Sequence, residues 1–155
     1  MTASEGTSEE PRTLAEKINR LFEVMHPKSE APRSNDDVAA AINAAGKTKI
    51  SASYLWLLRT GKRDNPTRQH LQAIADYFGV DPSYFFDAAA ARAIEAELDL
   101  LAAMRDAGVK QLALRAAGLS PEALRAITMI VDQARAVERL PPVQDLPATD
   151  ESTGV

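Results

Sequence analysis

Charged chemistry concentrates between Lys47 and Arg68, where Lys47, Lys49, Arg59, Lys62, Arg63 and Arg68 face a single acid, Asp64, in a chain of net charge −4. A compact cationic patch on an otherwise acidic protein suits contact with a polyanion through one face. Inside the patch, Ser51, Ala52 and Ser53 open a helix. Small side chains let a helix end enter a major groove closely, and its unpaired backbone N–H groups hold phosphate. Gly61, Lys62 and Arg63 follow that helix directly, a turn that lays cations along a nucleic-acid backbone.

Other chemistries find little support. The chain has no cysteine, which excludes disulfides and thiolate metal sites. His26 and His70 lie far apart without a nearby carboxylate pair, so both read as surface histidines and no metal is expected. Gly61-Lys62 looks like the end of a phosphate loop, but Arg63 stands where Ser or Thr is required. Asp36 and Asp37, and Glu95, Glu97 and Asp99, read as helix-dipole and solvated charges rather than an acid–base pair. With no nucleophile constellation, neither enzyme activity nor a cofactor is expected. No apolar run approaches the ~20 residues that span a bilayer, and Met1 to Pro11 lacks a signal-peptide pattern. The expectation is a soluble, cytoplasmic protein.

The elements that must position the patch are helices throughout. Leu14, Ile18, Leu21 and Phe22 recur at helical spacing, with Pro27 as the stop. Ser34 caps a second helix with Val38, Ala41, Ile42 and Ala45 as its stripe and Gly46 past its end. Ser51 caps a third, stopped at Gly61, with Leu55 and Leu58 toward the core and Tyr54 nearby. Thr67 starts a fourth, with Leu71, Ile74, Ala75 and Phe78 inward and Gly79 at its end. Asp81-Pro82 begins a short turn carrying Tyr84, Phe85 and Phe86. An Ala-rich helix over 88–105 follows, broken by Gly108, then a shorter one ending at Gly118. Ser120-Pro121-Glu122 starts a last helix, halted by Pro141-Pro142. The fold expected is all-α. Its parts are a disordered start over 1–11, a helix-turn-helix domain over 12–86, a helical dimerisation domain over 87–140 and a disordered tail over 141–155.

Ser51, Leu55, Leu58, Gly61, Lys62 and Pro66 stand in the register of the lambdoid phage repressor class, and the chain resembles this XRE family of helix-turn-helix regulators. The resemblance implies that Ser51, Ala52, Ser53 and Leu57 face bases or phosphates, and that Lys62, Arg63 and Arg68 contact the backbone. The chain departs from the family between helices two and three, where 46–50 is longer than the usual tight turn. For Trp56, stacking on the sugar-phosphate backbone competes with packing or an oligomer contact, the second being preferred. For Leu57, contact with a thymine methyl stands level with a place in the core.

A second resemblance spans Leu14 to Arg139. Leu14-x-x-x-Ile18-Asn19-Arg20-Leu21-Phe22, Asn65-Pro66 and Met104-Arg105-Asp106-x-Gly108-Val109 are similar to a family of mycobacterial secretion-linked, nucleoid-associated regulators. It implies a homodimer with an N-terminal DNA-binding domain and a C-terminal dimerisation domain. Trp56 and Leu57 depart from it, where a more polar pair is expected. Leu124, Ile127, Val131 and Ala134 form a seam that two copies can share, with Ile94, Leu98 and Leu101 on the same core. The reading is a regulator or architectural protein that binds double-stranded DNA as a homodimer, with higher oligomers open. No membrane and no small-molecule ligand are expected. The alternative is a protein-binding adaptor, antitoxin-like, that uses the helix-turn-helix as scaffold.

Overall fold

The structure is a computed structural model that describes residues 10–26, 30–143 and 145–146. All regular elements among them are helical, so the fold is all-α. They are α1 (Leu14–Val24), α2 (Asn35–Ala44), α3 (Ala52–Arg59), α4 (Arg68–Phe78), a 3-10 turn (Pro82–Phe85), α5 (Ala88–Ala103), α6 (Ala107–Ala116) and α7 (Pro121–Val137). Pro27 and the first nine residues lie outside the described residues, as does most of the tail.

Helix starts follow their capping chemistry. Thr13 and Ser34 each form a reciprocal capping box, with Glu16 and Asp37 respectively. The hydroxyls of Ser51, Thr67 and Ser120 accept from the third residue onward, satisfying N–H groups that the helix itself leaves open. Gly46, Gly61, Gly79 and Gly118, each past or at a helix end, all adopt the left-handed conformation that only glycine enters without a Cβ penalty.

Two of the expected boundaries move. The break after α5 falls at Met104–Asp106, not at Gly108. Asp106 is the N-cap of α6, its Oδ1 accepting from Gly108 at 2.7 Å and Val109 at 3.1 Å, so Gly108 sits in the first turn. The last helix ends before Pro141, because Arg139 turns into the left-handed region at φ 58°. Arg139 and Leu140 donate back to Ala136 and Arg135, closing the helix end locally.

The chain divides into two compact units, Met1–Ile94 and Glu95–Val155, with the division inside α5. In the first, α3 packs on α1 and α2, and α4 packs on α2 and the 3-10 turn. Ile18, Leu21 and Phe22 of α1, Val38 and Ile42 of α2, Leu55 and Leu58 of α3, and Leu71, Ile74 and Phe78 of α4 form its core with Tyr84. Phe22 and Phe78 meet edge-on at 5.1 Å, an arrangement aromatic quadrupoles favour. Ala41 and Ala45, expected on the α2 stripe, are exposed, and Ala39 is buried in their place. In the second unit, neither α6 nor α7 contains a buried residue.

Candidate nucleic-acid interface

The long connection between α2 and α3 is held by one side chain. Asn43 Nδ2 donates to the Ile50 carbonyl at 2.9 Å, and the Ile50 N–H donates to Asn43 Oδ1 at 2.8 Å. Ile50 itself is buried, so the turn is fastened to the core and to α2 together. The extra residues are thereby folded into a defined turn rather than left as slack.

α3 divides cleanly by face. Leu55 and Leu58 are fully buried. Tyr54 lies against His70, ring centroids 4.8 Å apart, with its hydroxyl 3.2 Å from His70 Nδ1. His70 is thus half-buried and engaged rather than a surface histidine. On the opposite face Ser53 is exposed, Ala52 and Leu57 are half-buried, and Trp56 is 46% exposed. With Asn35 and Asp36 at the start of α2, these four line an open recess of about 510 Å³. Ser51 is exposed, its hydroxyl committed to the Tyr54 N–H at 3.0 Å. Trp56 therefore lies outside the core of its own unit.

The cationic patch sorts into inward and outward members. Arg59 turns inward: Nε donates to Asn19 Oδ1 at 2.7 Å, a terminal nitrogen donates to Asn35 Oδ1 at 2.8 Å, and the guanidinium lies 3.9 Å from the Phe22 ring centre. Asn19 Nδ2 donates in turn to the Arg59 carbonyl at 2.9 Å. Desolvation lowers the Arg59 pKa from its ordinary value, though a guanidinium stays charged in proteins. Lys47 lies 3.6 Å from Asp76. Lys62, Arg63 and Arg68 remain outward, and each lies over an aromatic ring: Trp56 at 4.4 Å, Tyr54 at 5.6 Å and Phe86 at 5.0 Å. Such contacts contribute about 0.5–1 kcal/mol at exposed sites, enough to narrow the range each long side chain explores. The Arg63 N–H donates to the Leu57 carbonyl at 3.1 Å, which ties the turn to α3. The arrangement presents a mostly apolar helix face beside restrained cations.

The seven residues expected at a dimer seam are placed unequally. Leu98 is 2% exposed within the chain itself, so it offers no free surface. Ile94 and Ile127 are half-buried, and Leu101, Leu124, Val131 and Ala134 are exposed. The most open apolar residues of α7 are ones the seam omitted: Met129 at 72%, Ile130 at 67% and Val137 at 79%. Helical spacing from Ile127 through Ile130 and Ala134 to Val137 makes Ile130 and Val137 a continuation of the same face, whereas Met129, two positions past Ile127, lies on the opposite one; the full width of the apolar arc was the available signal for the first two.

Among the described residues, no cluster of His, Asp or Glu stands ready to hold a metal, and no helix is long and apolar enough to cross a membrane. No protein-family model matches the chain. Among curated proteins, the nucleoid-associated protein EspR from two strains of Mycobacterium tuberculosis is 39% identical over 101 residues, covering 65% of this chain and 76% of EspR.

Proposed function

The chain belongs to the EspR family of nucleoid-associated proteins, and on that premise we propose that it is a sequence-reading, duplex-DNA-binding regulator that acts as a homodimer at the cytoplasmic nucleoid. In this reading α2 and α3 are the helix-turn-helix of a lambdoid-repressor-like domain. α3 enters the major groove with Ser51, Ala52 and Ser53 leading, and Trp56 and Leu57 follow on the same face. Lys62, Arg63 and Arg68 contact the phosphate backbone. The observation that carries the proposal is the pairing of an open α3 face with three outward cations restrained on neighbouring rings. Restrained donors lose less freedom on meeting a phosphate.

The homodimer is supported by α7. A helix of 17 residues with no fully buried residue leaves most of its apolar side chains exposed in its own unit, and helices hold together mainly by burying an apolar face. A second copy supplies that burial. One reading head alone reaches one half-site; two linked heads make the second contact intramolecular and raise avidity by ~100-fold or more.

The test is a titration of duplex DNA at several salt concentrations, with mass measured alongside. Released counterions make log affinity fall with log salt by about 0.9 per neutralised phosphate. A steep slope and a dimer mass are expected. A protein that ignores duplex DNA at low salt is an adaptor, not a regulator.

A further inference from the structure

We infer that the α3 face built by Ala52, Trp56 and Leu57 recognises thymine through its C5 methyl group, so that this chain selects A·T pairs by methyl contact. The inference rests on the DNA-binding reading above and names what that face recognises.

Few kinds of side chain read base edges in a major groove, and this face lacks most of them. Guanine is read by a bidentate Arg or Lys on its O6 and N7, and adenine by a bidentate Asn or Gln. Between Ala52 and Leu58, α3 contains none of these four residue types. Arg59, next along, is turned inward onto Asn19, Asn35 and Phe22. Asn35 lines the recess, but its carboxamide oxygen is committed to Arg59. Ser53 is exposed and polar, yet a hydroxyl pairs with several base edges and selects none.

What the recess does offer is apolar surface. Ala52, Trp56 and Leu57 all line it, and the indole is 46% exposed. The thymine methyl is the one apolar group that a major groove presents. Asp36, on the same recess, accepts from an exocyclic amine, which adenine and cytosine both present in the major groove, so it adds no choice between the two pairs. The charge around the face fits a duplex as occupant: Lys62 lies 4.4 Å over the Trp56 ring and Arg63 is bonded through its N–H to Leu57. Phosphates at the groove edge complement those cations.

Deoxyuridine tests the idea without altering the protein, since it keeps the pairing and the O4 acceptor of thymidine and removes only the methyl. The full chain is titrated with a short A·T-rich duplex, its deoxyuridine counterpart, and a G·C-rich duplex with and without 5-methylcytosine. Removing methyls is expected to weaken binding by roughly three- to fivefold for each methyl contacted. Adding them to cytosine restores affinity in part. Trp56→Ala and Leu57→Ala bring the thymine and uracil duplexes closer together while salt-dependent binding persists. Equal affinity for thymine and uracil duplexes, with the steep salt slope intact, overturns the methyl contact and leaves the DNA-binding reading standing. Failure to bind any of the four duplexes at low salt overturns both.

Discussion

Asn43 grips Ile50 by both of its backbone groups, donating to the carbonyl at 2.9 Å and accepting from the N–H at 2.8 Å. The carboxamide thus stands in for a backbone partner and sets where α3 begins relative to α2. Asn43→Ala removes both bonds and should destabilise the domain by about 1–3 kcal/mol. DNA affinity should fall further than stability alone requires, because the α3 start loses its register. Denaturant unfolding and a DNA titration on the same samples check this; unchanged affinity removes the turn from the proposed reading geometry.

Arg59 separates structural charge from binding charge. Its partners Asn19 and Asn35 lie on or at the start of other helices. Arg59→Ala leaves those amides with one bond fewer and uncovers Phe22, at a cost of about 2–3 kcal/mol. Arg59→Lys should recover only part of that, since an ammonium cannot span both amides in a plane. Neither variant should change the salt slope of DNA binding. A flattened slope would show that Arg59 reaches phosphate.

Lys62 and Arg63 give the opposite signature. The double variant Lys62→Ala, Arg63→Ala should fold normally and weaken binding to all duplexes alike. Its log–log salt slope should flatten by about one to two units. Selective loss of one sequence, with the slope unchanged, contradicts a backbone role.

Asp37 ties the start of α2 to pH. Its carboxyl lies below the ordinary 3.8, chiefly through the Ser34 side-chain hydrogen bond, then the Ser34 backbone N–H, with Arg33 adding charge. A folded pKa below the unfolded one makes this contribution present above the ordinary value and lost as pH falls through the folded pKa. Ser34→Ala should move the Asp37 titration up toward the ordinary range. Side-chain carboxyl NMR across an acid titration reads this directly, and an unmoved midpoint dismisses the capping box as its cause.

Ile130 tests the proposed dimer without endangering the monomer. At 67% exposure, Ile130→Asp leaves the folded single chain nearly untouched, whereas across an apolar seam it buries an unpaired charge. Light scattering should show the mass halve, and affinity for a two-site duplex should fall by ~100-fold. A fragment ending at Ile94, where the first unit closes, should be folded, monomeric and equally weak. A variant that stays dimeric excludes this face.

The start and stop of nearly every helix were legible in the chain, because a cap depends only on residues within one turn of it. Ser34, Ser51, Thr67 and Ser120 accept bonds from the third residue onward, and Gly46, Gly61, Gly79 and Gly118 take the one backbone conformation other residues resist. Periodicity likewise placed Leu55 and Leu58 in the core and left Trp56 outside it. Gly108 does not mark the helix break for a local reason too: Asp106, two residues earlier, supplies a competing cap.

Where a long polar side chain points was decided only by the tertiary structure. Arg59 and Lys62 look equivalent in sequence, three residues apart in one basic run. Asn19, forty positions away, is brought beside the first and draws it inward, while Trp56 supports the second at the surface. The same holds for His70 beside Tyr54 and for Leu98, which is buried within the single chain where periodicity offered it to a core shared by two copies. A guanidinium or imidazole is directed by whichever acceptor or ring the packed helices bring within reach, and that neighbour is set by packing rather than by adjacency along the chain.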